Sequence, residues 1–170
     1  MNPKNDQNKE KDFHITLKKN LDLALVNHKN GNLDEAILNY EFYFSKNQSN
    51  PVCNTNLAMI YKAKKRTDDA ISLYENTIDN CPEFINSYIN YSSLLLELKL
   101  YNKSLDIIEK GLLIDCQNVN LIRNKSLVFY FLNCFENSKK EINKTLLLQP
   151  NNYNSKLILL NLEYKFNNKK

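Results

Sequence analysis

The sequence predicts an all-α chain of about four 34-residue repeats, each a pair of antiparallel helices, closed by one further helix. Three observations carry that expectation. First, only 2 of 170 residues are Gly and 4 are Pro, too few to furnish the turns of a many-stranded sandwich or a phosphate-cradling loop. Second, a shift of 34 residues aligns four small side chains, Ala36, Ala70, Ser104 and Ser138, without insertion or deletion. Twelve residues before each stands another small one, Ala24, Ala58, Ser92 and Ser126, and twelve after come Gln48, Pro82, Cys116 and Pro150. Third, helix-start chemistry recurs between these landmarks.

Each element follows from local physics. Residues 1–12 are polar and predict a disordered tail. The repeats are placed at 17–50, 51–84, 85–118 and 119–152, inside a repeat domain of 13–166. One small residue on each helix of a pair lets the two axes approach closely, where larger residues would wedge them apart. Tyr40, Tyr74, Ile108 and Ile142, four residues past the second small position, are the expected core knobs. Asn50 followed by Pro51 reads as an N-cap with Pro at the first helical position. Thr67 reads as a cap with Asp68 and Asp69 behind it, Asp34 and Glu35 form an acidic first turn, and Gly31 sits in a turn. Residues 153–166 predict a capping helix that buries Leu157, Ile158, Leu160 and Leu162 against repeat four, and 167–170 predict a second disordered tail.

Charge and cysteine usage narrow the function. The net charge is +4, but the stretches 1–12 and 165–170 hold six of the 23 basic groups and three of the 19 acids. The body is therefore close to neutral and carries no electrostatic footprint for a nucleic acid. The run Lys62, Lys64, Lys65 and Arg66 reads as a solvated loop. Cys53, Cys81, Cys116 and Cys134 have no paired spacing, and His14 and His28 lie far from them, so neither a metal site nor a cofactor is expected. Small buried apolar roles in a reducing, cytoplasmic compartment fit them, although spacing alone leaves a disulfide open. No apolar stretch suits a signal peptide or a membrane span. No nucleophile with a base and no paired carboxylates emerge from the register, so the chain is not expected to be an enzyme.

A 34-residue period with small residues at its eighth and twentieth positions and Pro near the thirty-second resembles the tetratricopeptide repeat family, over roughly 150 residues. Repeat one departs with Asn27 and Gln48, and repeat four with Lys125 and Lys139. The resemblance implies a right-handed α-solenoid whose first helices line a concave groove for a peptide or a partner subunit. In the family's register the second, fifth, sixth, ninth and thirteenth positions face that groove. The sixth holds Asp22, Asn56, Asn90 and Asn124, and Asn56-Leu57-Ala58 resembles the repeat arm of O-linked N-acetylglucosamine transferases, where asparagines hold a peptide backbone. A primary amide both donates and accepts, so it pairs with any peptide regardless of side chain. The chain holds 29 asparagines, however, and a comparable column of Asn50, Asn118 and Asn152 arises in the loops.

Leu25, Met59, Ile89 and Leu127 would add apolar contact area or serve ordinary helix packing, and Arg123 is the one strong cation in the fifth, sixth and ninth columns. The lysines of the family's chaperone-binding carboxylate clamp are missing: its fifth positions here are Leu21, Thr55, Ile89 and Arg123. These readings converge on a non-catalytic interaction or scaffold module for a protein or peptide partner. The alternative is an accessory, substrate-handling arm of a glycosyltransferase or other modifying enzyme.

Overall fold

The computed structural model describes residues 3–167, with side chains from 10 to 165. Every regular element among them is a helix: α1 (Pro3–Lys29), α2 (Leu33–Phe44), α3 (Pro51–Ala63), α4 (Thr67–Asn80), α5 (Ile85–Glu97), α6 (Tyr101–Ile114), α7 (Val119–Phe131), α8 (Phe135–Leu148) and α9 (Tyr153–Asn167). The chain divides after Pro82 into two compact units. In the first, α1 packs on α2, α2 on α3 and α3 on α4. In the second, α5 packs on α6 and α7, α6 on α7, α7 on α8, and α9 on both α8 and α7. Each unit is thus a stack of helical hairpins.

The small-residue pairs sit where the hairpins close. Ala24, Ala36, Ala58, Ala70, Ser92, Ser104, Ser126 and Ser138 are all fully buried. In the second unit serine replaces alanine, and the two helices then hydrogen-bond at their crossing. Ser104 Oγ donates to the Ser92 carbonyl at 2.9 Å, Ser126 Oγ to the Ser138 carbonyl at 2.9 Å, and Ser138 Oγ to the Ser126 carbonyl at 2.8 Å. Those bonds remove the cost of burying a hydroxyl, which would otherwise exclude serine from so tight a place. Tyr40, Tyr74, Ile108 and Ile142 are fully buried beside them.

All four intra-hairpin turns share one solution. Gly31, Lys65, Lys99 and Asn133 have φ of 80°, 62°, 60° and 60°. The next N–H reaches back five residues: Asn32 to the Asn27 carbonyl, Arg66 to Tyr61, Leu100 to Leu95 and Cys134 to Phe129, at 2.8–2.9 Å. This left-handed C-terminal cap satisfies carbonyls the helix leaves open. Glycine takes that conformation freely, so the two lysines hold it at a cost of about 1 kcal/mol each.

Several expectations are corrected. Residues 3–12, expected as part of a disordered tail, continue α1. Pro3 opens the helix, and neither Gly nor a second Pro interrupts the stretch up to Lys29. The segment therefore extends a helix nucleated by its packing on α2, which is cheaper than starting one. Residues 1–2 and 168–170 lie outside the described residues, as do those parts of the tail assignments. Thr67 is not a cap: Arg66 holds that position without a side-chain hydrogen bond, and Thr67 is the first helical residue. On α9 the buried face is Ser155, Ile158, Leu159 and Leu162, whereas Leu157 is 45% and Leu160 61% exposed. Of the cysteines only Cys53 is buried, with its thiol pushed up to about 12 by desolvation; Cys116 and Cys134 are exposed, and all four are free thiols.

Asn50 is the expected N-cap, its Oδ1 accepting from Cys53 N at 2.9 Å. The loop asparagines Asn118 and Asn152 do the same, accepting from Leu121 N at 3.2 Å and Ser155 N at 3.0 Å. That column is a capping device. Two members of the basic run are tied down, with Lys64 on Asp34 at 2.6 Å, Arg66 on Asp69 at 2.7 Å and on Glu41 at 3.4 Å, and the Arg66 guanidinium 3.8 Å from the Tyr61 ring centre. Lys125, in a normally apolar column, escapes burial cost by reaching Glu109 at 3.1 Å.

Candidate functional site

Within the second unit, α5, α7 and α9 face one another across a cavity of about 600 Å³. From α7 come Arg123, Asn124, Leu127 and Phe131, spaced so that they fall on one face over more than two turns. From α5 and the turn after it come Ser93, Leu96, Glu97 and Lys99, with Tyr101 at the start of α6. Asn154, Leu157 and Ile158 close the far side from α9. The Tyr101 and Phe131 rings stack with centroids 5.6 Å apart and planes 6° from parallel, and Tyr130 meets Phe131 edge-on at 5.5 Å, which holds this aromatic wall in place.

Two polar groups in the lining behave differently. Asn124 is buried and its amide nitrogen is committed to α5, donating to Ser92 Oγ and Ser93 Oγ at 3.0 Å each and more weakly to the Ile89 carbonyl at 3.4 Å. It ties α7 to α5 and leaves only its carbonyl oxygen for a ligand. Arg123 is half-buried, and among the described residues its guanidinium makes no hydrogen bond and no ion pair. Burial, with no anion beside it, pulls its pKa below the usual arginine value.

The expected site residues therefore fall into three groups. Arg123, Asn124 and Leu127 come together in the cavity lining. Ile89 and Asn90 lie half-buried on α5 and do not line it, although the Ile89 carbonyl receives Asn124. Asp22 and Leu25 are exposed on α1, Asn56 is half-buried on α3 and Met59 is 39% exposed there, all in the first unit. Asn56 lies beside the Tyr40 hydroxyl, whose burial pushes its pKa to about 12 and which forms no well-aligned hydrogen bond.

Sequence reasoning misses Ser93, Glu97, Phe131, Asn154, Leu157 and Ile158 as site residues. The signal for them exists, because they occupy the ninth, thirteenth, thirteenth, second, fifth and sixth positions of the same register. Finding the last three requires reading α9 as one more first helix.

Residues 53–83 match the tetratricopeptide-repeat family model. The matched tetratricopeptide segment takes in most of α3 and all of α4. No curated protein matches the sequence. Among solved structures the chain is similar to the MamA RS-1 ArsTM double mutant, at 13% identity and a TM-score of 0.78, over 88% of this chain and 84% of that one. It is also similar to a tetratricopeptide repeat protein from Parabacteroides merdae ATCC 43184, at 17% identity and a TM-score of 0.80, over 89% of this chain and 59% of that one. A chain of the APC/C hetero-tetramer Cut9–Hcn1 is similar at 18% identity with a TM-score of 0.78, over 86% of this chain and 29% of that one. At these identities the likeness is one of fold. No helix among the described residues is long and apolar enough to cross a membrane.

Proposed function

We propose that the chain is a non-catalytic interaction module that receives a peptide segment or part of a partner subunit on the faces of its first helices. The observation that carries this reading is the cavity between α5, α7 and α9, lined mostly by the register positions that face the groove in tetratricopeptide repeats. It is mostly apolar with a few convergent polar groups, the composition of a recognition surface. A similar solved structure is a chain within a hetero-tetramer, which is in keeping with a scaffold role.

The accessory-arm reading draws on an asparagine column that grips a peptide backbone. Asn124 spends its donors within the protein, so it offers one acceptor instead of a donor and acceptor pair. The binding role proposed for Asp22, Asn56, Met59, Ile89 and Asn90 is correspondingly secondary to that of Arg123 and Leu127. The test compares Leu127→Glu, inside the cavity, with Leu113→Glu, a residue 89% exposed on the second helix α6. Partners recovered from native extract with the parent chain should be lost with Leu127→Glu and kept with Leu113→Glu. Equal recovery by both variants contradicts the reading.

A further inference from the structure

Resting on that reading, the geometry points to a specific ligand class: an extended peptide segment that places an internal Asp or Glu side chain on the unpaired guanidinium of Arg123, flanked by apolar residues. A half-buried cation with no partner is costly, and a carboxylate is the group that repays it, through two parallel hydrogen bonds to the planar fork. The lining holds Arg123 and Lys99 against the single carboxylate Glu97, so it favours an anion of modest charge. A phosphate carries nearly twice the charge and would call for more than this one cation excess.

The position of Arg123 argues for a side chain within a segment. α7 is the middle helix of the three, packed on α5 to one side and α9 to the other. Helices in contact lie about 8–10 Å apart, so a strand crossing all three spans roughly 20 Å, or about six extended residues. An anion on the middle helix then falls near the centre of that segment. Leu96 lines the cavity from α5 and Leu157 and Ile158 line it from α9, which provides apolar seats on either side of the carboxylate, while Leu127 and Phe131 continue from Arg123 along α7. Ser93 and Asn154, at the two outer helices, are placed to hydrogen-bond the peptide backbone.

The full chain is titrated by fluorescence anisotropy with N-acetylated, C-amidated hexapeptide pools whose flanks are randomised among Leu, Phe, Ala and Ser. One pool has a central glutamate and a second a central glutamine. A third repeats the glutamine pool with a free C-terminal carboxylate, and a fourth has a central phosphoserine. The glutamate pool should bind about tenfold tighter than the glutamine pool, a preference that Arg123→Gln abolishes and Arg123→Lys partly restores, with circular dichroism unchanged. Equal binding of glutamate and glutamine, or a preference that survives Arg123→Gln, overturns the inference while leaving the groove reading intact. Tighter binding of the free-carboxylate or phosphoserine pool overturns the assignment to an internal carboxylate. Absence of binding by every pool overturns both readings.

Discussion

Ser126 and Ser138 exchange hydrogen bonds through both hydroxyls and both carbonyls at one helix crossing, and Ala58 and Ala70 fill the equivalent place with no polar atom at all. Side-chain size is therefore what the position demands, and polarity is tolerated only when fully paired. Gly111 applies the same rule more severely. A Cβ there would lie 2.6 Å from Leu121 Cδ1 and 2.9 Å from Tyr88 Cβ. Alanine is the better helix former by about 1 kcal/mol, but overpacking of this kind costs about 1–3 kcal/mol. Gly111→Ala should accordingly lower the urea midpoint of unfolding at an unchanged slope, with a net loss of up to about 2 kcal/mol. A raised midpoint would show that the α5, α6 and α7 contact yields easily.

At the scale of elements, α9 shows what the sequence makes visible and what it conceals. That a helix follows repeat four is plain from its composition, but its apolar residues lie on nearly every side, so periodicity alone does not choose the buried face. Packing chooses it: Ser155, Ile158, Leu159 and Leu162 turn inward, while Leu157 lines the cavity and Leu160 faces outward. Leu162→Ala should cost about 2–5 kcal/mol and Leu160→Ala under about 1 kcal/mol in thermal or denaturant unfolding. Equal losses would contradict the assigned face. The helix starts divide similarly. Asn50 before Pro51 declares a cap by itself, whereas the abundance of asparagine hides the caps at Asn118 and Asn152. At the second helices the preceding left-handed turn sets the boundary, so Thr67 has the residue type of a cap without the position of one.

For the whole molecule, a period of 34 residues encodes the hairpins because the same crossing must be built again in every repeat, which fixes the small residues and the large knobs behind them. The candidate site is only partly legible for a related reason. Arg123 and Leu127 stand out as a cation and a hydrophobe in columns expected to face a groove, but the commitment of Asn124 to Ser92 and Ser93 depends on contacts between helices more than 30 residues apart in sequence. The helical state of residues 3–12 escapes composition for the opposite reason, since it is inherited from packing further along α1. The most direct test of the central claim is a map of backbone and methyl NMR shifts on adding the capped glutamate hexapeptide pool. Changes should gather at Ser93, Arg123, Leu127, Phe131 and Leu157, on the facing sides of α5, α7 and α9; changes centred instead on Leu113 of α6 and Leu147 of α8 would contradict it.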